Sequence, residues 1–433
     1  MASLYERACK VIPPVGTARY TTLGVVKGEG SYLYTDGGRK LLDFVMGIGA
    51  NNVGHNHPLV VEAARKQMEN LVHAGHNVVY YESYVALAEE ITKAVGGDSM
   101  IYFSNSGSEA NDGAIKLAKY ATERPAIITF INAFHGRTVG AMALTASNSA
   151  YRKHYEGLMP SVYYARYPDL YHSPVPVKDG KCPEFFMEQF TTMFDTIVDP
   201  YSVAGIIMEP EQGEGGYIVP PKEFVQFMRD MCDKYGIMLI FDEVQCGNGR
   251  TGKLYCQEHF GVRPDFFSTA KGIGAGFPLS AVIGKTSVME KWLPGAHGGT
   301  FGGNPVSCAA GLASLRILQN GGIENAAKMG AYFKDQLLQL QKKYPVIGDV
   351  RGLGLMLAVE MVKDGRQPDT ELTVKLIDTA LDKGLLLISC GTHHNAIRFI
   401  PPCTVKKKEI DEAIAILDSS FKVCLTGRTS IIA

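Results

Sequence analysis

The chain has 433 residues, 46% of them apolar and 20% charged, and 43 Lys and Arg against 44 Asp and Glu leave a formal charge of −1. That balance offers no electrostatic footprint for nucleic acid or an anionic membrane, and it excludes a disordered chain, which would be apolar-poor and strongly charged. The 47 Gly and 21 Pro follow no Gly-X-Y period, so the chain is not collagen-like, and its length allows two or three domains.

The nine cysteines (Cys9, Cys182, Cys232, Cys246, Cys256, Cys308, Cys390, Cys403 and Cys424) are odd in number and irregularly spaced, with no C-x-x-C. Free thiols in a reducing cytosol fit that pattern better than a disulfide framework. Residues 1–16 carry charges where a signal peptide needs an apolar core. No run of 18 apolar residues predicts a transmembrane helix. Ile431-Ile432-Ala433 matches no common address signal, so the expected location is cytoplasmic.

In chain order, residues 17–45 read as strands and turns, punctuated by Gly28, Gly30, Gly37 and Gly38. Pro58 opens a helix to about Val72, with Val60, Ala64, Met68 and Leu71 at helical spacing. A second helix, about 81–95, repeats Tyr84, Leu87, Ala88, Ile91 and Ala94 on one face. From 101 the rhythm changes. Short apolar runs at 101–103, 126–131, 204–208, 237–241 and 266–270 alternate with longer amphipathic segments. Such runs predict strands buried on both faces of a parallel sheet. The expected fold class is therefore α/β, with a large, doubly wound, mainly parallel sheet domain over 56–320. The Pro-rich stretch 165–200 reads as a long surface excursion. Beyond 320, a helix (322–343), a strand (355–359), a helix ending near Gly384, strands at 385–389 and 397–400 and a helix at 406–417 predict a smaller α+β domain, 321–433. The N-terminal segment 1–55 is expected to join it.

Ligands of an open parallel sheet bind beyond the carboxyl ends of its strands. After the first run comes Ser104-Asn105-Ser106-Gly107-Ser108-Glu109; after the second, Phe134-His135-Gly136-Arg137; after the third, Glu209 and Glu214; after the fourth, Asp242, Glu243 and Gln245; after the fifth, Lys271. Together they describe a site for a phosphorylated, electron-withdrawing ligand beside a lysine. Ser106-Gly107-Ser108 opens a helix of about 108–122, where backbone N–H groups favour a phosphate; the plainer reading makes Ser108 an N-cap. Asp242 could hold a proton on a cationic ring nitrogen, or cap a neighbouring helix. Lys271, before Gly272, Gly274 and Gly276, could lose its proton and bond to a carbonyl, or merely snorkel or bind phosphate. Arg137 and Arg398 are candidate carboxylate clamps, Arg398 alternatively half of a buried structural pair. Gly247–Lys253 nearly spells a P-loop, but Leu254 stands where a hydroxyl should ligate Mg²⁺. His55-x-His57 lacks an HExxH companion, so helix entry is preferred to a metal site and no metal is expected.

These residues, in this order, resemble the class III (ω-type) aminotransferases of the pyridoxal-phosphate, fold-type-I superfamily, and within it the 4-aminobutyrate aminotransferase-like subgroup. The resemblance covers nearly the whole chain. It rests on Gly54-His55-x-His57-Pro58, Ser104-Asn105-Ser106-Gly107-Ser108-Glu109-Ala110, Phe134-His135-Gly136-Arg137-Thr138, Glu209-Pro210-x-Gln212-Gly213-Glu214-Gly215-Gly216, Asp242-Glu243-Val244-Gln245, Gly249-Arg250-Thr251-Gly252, Lys271-Gly272-x-Gly274-x-Gly276-Phe277-Pro278 and Thr300-Phe301-Gly302-Gly303-Asn304-Pro305.

The resemblance implies the cofactor pyridoxal 5′-phosphate, an amino donor and a 2-oxo acid acceptor as small-molecule partners, and a homodimer or dimer of dimers. It implies Lys271 as the Schiff-base lysine and proton shuttle, and Asp242 as the acid that keeps the ring nitrogen protonated. Gly107 and Ser108 would cradle the phosphate, Phe134 would stack on the ring, and His135, Val244 and Gln245 would complete the cofactor site. Thr300 would reach the neighbouring subunit's cofactor from a glycine-rich segment expected to need that subunit for order. For substrate it implies Ile48 as a pocket wall, Arg137 as a carboxylate ligand, Glu209 beside them, and Glu214 with Arg398 as a switchable ion pair, Glu214 moving on its glycine-flanked loop. Cys246 and Asn248 depart from the family pattern, where Thr or Ser and a bulkier residue are common. Amino-acid racemases and epimerases share these motifs and form the alternative reading.

Overall fold

The computed structural model describes residues 2–16 and 20–426. Residues 17–19 of the first expected strand-and-turn segment, and Ile431-Ile432-Ala433, lie outside the described residues. The five apolar runs all form strands: Met100–Ser104, Ala126–Phe130, Val203–Met208, Met238–Asp242 and Phe266–Thr269. They belong to one seven-stranded sheet. Two further strands, Val162–Ala165 and Ser280–Gly284, escaped the sequence reading. Val162–Ala165 lies parallel at one edge beside Ala126–Phe130. Ser280–Gly284 runs antiparallel between Met100–Ser104 and Phe266–Thr269, with Ala281 opposite both Phe103 and Thr269. Five residues after a glycine-rich turn leave little periodicity to find, and composition does not encode strand direction.

Helices cover both faces. On one, Ala110, Ala114, Leu117 and Ala118 of helix Gly107–Thr122 pack with Ile127, Ile207, Ile240, Phe266 and Val282. On the other, Phe224, Val225 and Met228 of helix Lys222–Tyr235 meet Ile128, Phe130 and Ile206. Each buried Leu, Ile, Val, Phe or Met side chain among these contributes about 1.5–3 kcal/mol. The expected surface excursion is only half right. Its second part is helix Phe185–Thr196, whose Phe186, Phe190 and Met193 recur at helical spacing and join this same core.

A second core gathers Leu42, Phe44, Val60, Phe333, Leu337, Phe399, Leu417 and Phe421. Here N- and C-terminal parts of the chain interleave. Val25–Glu29, Tyr32–Thr35 and Lys40–Asp43 form an antiparallel set, and Leu385–Leu386 adds in parallel to Lys40–Asp43. The expected strand 385–389 is therefore split. After Leu387 the chain changes sheets, and Ile388–Cys390 pairs with Ala396–Phe399. Ala396–Phe399 pairs in turn with Met356–Lys363, which carries Ile347–Leu353 on its other side. The near-P-loop is a turn-rich link between the two cores: Arg250 is buried, and its guanidinium donates to the Leu355 and Pro401 carbonyls. His57 immediately precedes helix Pro58–Asn70, and His55 Nε2 lies 2.7 Å from Asp43 Oδ2.

Close backbone approach sets one requirement in the second core. Gly330, within helix Ile323–Lys343, faces the Gly354 backbone so closely that an added Cβ would collide with it. Gly330→Ala is expected to destabilise the protein by about 1–3 kcal/mol, read as a lowered midpoint in thermal unfolding; an unchanged midpoint would contradict the packing described.

Candidate active site

The carboxyl ends of the parallel strands open onto one cavity of about 360 Å³, walled by Gly107, Ser108, Asn111, Phe134, His135, Glu209, Glu214, Asp242, Val244, Gln245 and Lys271 among others. The five strand-end segments singled out in the sequence thus converge as the parallel-sheet rule requires. A slightly larger cleft, about 410 Å³, lies at the opposite end of strand Phe266–Thr269, but its Asp265 and Lys285 are already paired at 2.8 Å.

Asp242 is buried at the end of its strand. Oδ2 accepts from Asn111 Nδ2 and His135 Nδ1, each at 2.7 Å, and Oδ1 accepts from the Val244 N–H at 2.9 Å. Asn111 also donates to the His135 carbonyl at 2.6 Å and accepts from Ser268 Oγ at 2.6 Å. Sequence reasoning missed Asn111. A helix position four residues after Gly107 was its only signal, and nothing local says which strand end it meets.

The helix beside this carboxylate begins at Gly107 with Ser106, not Ser108, as its N-cap. Ser106 Oγ accepts from the Glu109 N–H, and Glu109 returns to the Ser106 N–H at 2.8 Å. The capping reading of Ser108 is corrected accordingly: Ser108 Oγ accepts from the Arg137 N–H at 2.9 Å. The first N–H groups of a helix lack intrahelical partners, and those of Gly107 and Ser108 have none among the described residues. Gly107 must be glycine here, because a Cβ would come within 2.8 Å of Val244 Cγ1.

Lys271 has a positive φ of 48°, a strained backbone for a long side chain. It opens a short turn, Lys271–Gly274, and its amine faces the cavity. Burial is the largest influence on that amine and lowers it; Asp242, Glu209 and Glu214 act against burial, Arg398 with it, and the result is about 8. Glu209 is buried too, and burial pushes its carboxyl up to about 7, against the pull of His135 and of the Gly213 and Phe134 N–H groups that it accepts at 2.8 and 3.0 Å.

Glu214 lines the cavity, and Arg398 lies behind it, 1% exposed, with Nη1 2.9 Å from Glu214 Oε2. Burial is the largest influence and works against the Arg398 charge, but Glu214 together with Tyr217 and Cys390 outweighs it and keeps the guanidinium protonated. Tyr151, also missed in the sequence, donates its hydroxyl to Glu214 Oε1 at 2.7 Å. Arg137 is exposed at the rim and stacks on the Tyr151 ring, 3.8 Å from its centroid. Gln245 Oε1 accepts from Tyr217 at 2.8 Å, and Phe134 packs edge-on to Tyr151. Ile48 is exposed on the turn Met46–Gly49, whose Gly49 backs onto Lys271.

Thr300 is exposed and is not part of this cavity wall. Its segment is better anchored than glycine content alone suggests. His76 and Tyr81 bond the Gly302 and Gly303 carbonyls at 2.8 and 2.7 Å. The two departures from the family pattern are both buried: Cys246 Sγ lies against Asp242 O and Glu243, and Asn248 Nδ2 donates to Thr269 Oγ1 at 2.8 Å.

The chain belongs to the class III aminotransferases: the family description "Aminotransferase class-III" matches residues 15–421. A probable 4-aminobutyrate aminotransferase of Bacillus subtilis (strain 168) is 39% identical over 402 residues, 92% of each chain. An alanine/serine racemase of Pyrococcus horikoshii is 34% identical over 432 residues, 98% of this chain and 91% of the relative. A PLP-bound amine transaminase from an uncultivated Pseudomonas species is 31% identical and superposes with a TM-score of 0.88 over 95% of this chain and 98% of its own. The protein is an enzyme that transfers amino groups with pyridoxal phosphate as cofactor. The residues present fit that group. Among the described residues, one cavity offers two unpartnered N–H groups at a helix start, a carboxylate with acceptor capacity left on Oδ1, and a lysine amine without an ion-pair partner.

The amine makes a direct test. In the cofactor-free chain, acetylation of Lys271 followed by peptide mapping is expected to rise with pH through about 8, since the neutral amine reacts and the proton is lost above that value. A midpoint near the ordinary lysine value of about 10.4 would contradict the described burial.

Proposed function

We propose that the enzyme moves an amino group from an ω-amino acid of the 4-aminobutyrate or ornithine kind to a 2-oxo acid such as 2-oxoglutarate or pyruvate. The observation that carries this reading is the Glu214–Arg398 pair: the cavity presents the carboxylate, and the guanidinium is covered. A donor with no carboxylate beside its reacting carbon suits that wall, since an uncovered Arg398 would otherwise face it unpaired. Arg137, at the rim and without a carboxylate partner among the described residues, is free to take the donor's distal carboxylate. Ile48 supplies an apolar wall near the entrance.

Bound pyridoxal phosphate supplies an electron sink, which lets the amine-bearing carbon of the donor give up its proton. Gly107 and Ser108 would hold the phosphate through the helix-start N–H groups, and Phe134 and Val244 would give the ring apolar contact. Gln245, fixed by Tyr217, lies within the same wall. Asp242 would keep the ring nitrogen protonated, and His135 and Asn111 hold that carboxylate in place. Lys271 would hold the cofactor and, with its amine free again once substrate is bound, would carry the proton: Nζ is neutral when it takes the proton from the donor carbon and charged while it holds it. Glu209, fixed by two backbone N–H groups, supports the substrate side of the wall.

In the same reading the active unit is a homodimer or a dimer of dimers. Thr300 of one subunit would reach the phosphate held by the other, and the neighbouring Phe301, 61% exposed, suits a covered surface. The chain divides at about 55 and 320, and the sheet shared by Lys40–Asp43 and Leu385–Leu386 supports joining both termini in one small domain. Among the described residues no helix is long and apolar enough to cross a membrane, and all nine cysteines are free. Free thiols support the cytoplasm as location.

Two measurements test the function. Holoenzyme given 4-aminobutyrate alone is expected to release about one equivalent of oxo product per site and to turn over only when a 2-oxo acid is supplied, and Glu214→Ala is expected to lose roughly a hundredfold with ω-amino donors while α-amino acids are spared. Interconversion of D- and L-amino acids without any 2-oxo acid would instead support the racemase alternative. Asp242→Asn keeps the shape and removes the charge. It is expected to retain cofactor and to slow proton abstraction about 10²- to 10³-fold, measured in single-turnover absorbance; a wild-type rate would refute the role.

A further inference from the structure

A switch at Glu214 needs a part that moves, and the loop does not supply it. The glycines around Glu214 were expected to let the loop swing. In the structure the Gly391 N–H donates to the Glu214 carbonyl at 2.8 Å, and Arg351 Nε donates to the Gly216 carbonyl at 2.7 Å. Gly213 is held from the other side by Glu209, and Gln212 and Ile218 close an antiparallel bridge around the segment. Gly215 is glycine because a Cβ would strike the Asn132 carbonyl. These are close-packing glycines on a tied backbone. Arg351 is itself fixed by Glu360 and Asp349, at 2.6 and 3.0 Å. Any exchange of Glu214 must therefore come from its side chain, and its alternatives are set by what its two oxygens touch.

Those contacts single out one residue. Glu214 Oε2 faces Arg398, and Oε1 takes the Tyr151 hydroxyl. The same Tyr151 ring carries the Arg137 guanidinium on its face. Tyr151 is buried at the end of the short turn Ser149–Tyr151, whose start is fixed by Asn148 accepting from the Ala150 N–H at 2.9 Å. One side chain thus touches both the carboxylate that covers the inner arginine and the outer arginine itself.

We infer that Tyr151 is the specificity-determining positioning residue of this enzyme: its hydroxyl latches Glu214 over Arg398, and its ring presents Arg137 to the distal carboxylate. The inference rests on the aminotransferase reading with a switchable Glu214. The latch bond is made when Arg398 is covered and lost when an α-carboxylate displaces Glu214, so it biases the site toward ω-amino donors. A hydrogen bond to a charged carboxylate is among the stronger kind in proteins, which is enough to set the preference between two arrangements of one side chain. The ring acts differently. A guanidinium lying on an aromatic face is held in plane with both edges open to a carboxylate, and this part is common to both substrates.

The test compares half-reactions of the holoenzyme in wild type, Tyr151→Phe, Tyr151→Leu and Glu214→Ala, with 4-aminobutyrate and with L-glutamate. Tyr151→Phe keeps the buried ring and removes only the hydroxyl, and cofactor absorbance and thermal midpoint confirm that it is folded. Its kcat/KM for 4-aminobutyrate is expected to fall about tenfold, while that for L-glutamate holds or rises. A purely structural role would lower both. Tyr151→Leu is expected to raise KM for both substrates in addition, because Arg137 loses its platform; an unchanged KM would overturn the role of the ring. Equal losses in Tyr151→Phe, with Glu214→Ala still shifting the ratio, would overturn the latch and leave the switch standing. No shift of the ratio in Glu214→Ala would overturn the switch itself and the latch with it.

Discussion

A single buried carboxylate, that of Asp242, fixes the geometry on which the rest of the site depends. A charge taken out of water is costly unless donors surround it. The donors here come from three separate places: Asn111 on helix Gly107–Thr122, His135 in the loop after Ala126–Phe130, and the Val244 N–H just beyond the strand itself. Satisfying Asp242 therefore forces the helix start, the Phe134–Arg137 loop and the strand end to meet within hydrogen-bond distance. The helix start brings the free N–H groups of Gly107 and Ser108, and the loop brings Phe134 and Arg137. Anchoring the charge thus assembles much of the cavity wall.

The next constraint is the balance of charge around Lys271. Burial is the largest influence and favours loss of its proton. Asp242, Glu209 and Glu214 resist that, Arg398 assists it, and the amine comes to rest at about 8. An amine placed there exchanges its proton readily near neutral pH, which a proton carrier requires. The pairing of Glu214 with Arg398 takes part in this balance, because it screens from the amine a cation that would push its proton off more strongly. In the proposed reading, substrate recognition and proton handling are consequently coupled through one ion pair.

The architecture was legible where burial leaves a local trace. Strands buried on both faces read as unbroken apolar runs, so five of the seven strands of the large sheet and the polar residues at their ends could be found without the fold. Ser280–Gly284 could not, because its antiparallel direction between two parallel neighbours has no compositional signature. The split strand at 385–389 reads as one piece in the sequence for the same reason: nothing local marks Leu387 as the point where the chain leaves one sheet for another. In the site, residues inside ordered motifs were legible and their partners were not. Asn111 and Tyr151 are ordinary polar positions on their own elements. They acquire meaning only through contacts 131 and 63 residues away, with Asp242 and Glu214.

The glycines flanking Glu214 read in the sequence as sources of motion, and the geometry gives them, with other glycines of the rim, another purpose. A Cβ on Gly107 would strike the Val244 side chain, one on Gly136 would strike Ser108, and one on Gly215 would strike the Asn132 backbone. At Gly136 and Gly215, where backbone lies opposite, a Cβ would push the neighbouring segments apart. Removing it lets backbones approach until side chains from different strands can share one small cavity, and closely packed backbones do not shift independently. A rim built this way must accommodate two differently charged substrates without opening its frame. The adjustable parts are then the side chains that reach across it, and Glu214 is one of these, touching Arg398 with one oxygen and Tyr151 with the other. In the proposed reading, rigidity of the backbone is what would make a single carboxylate sufficient as the discriminating element.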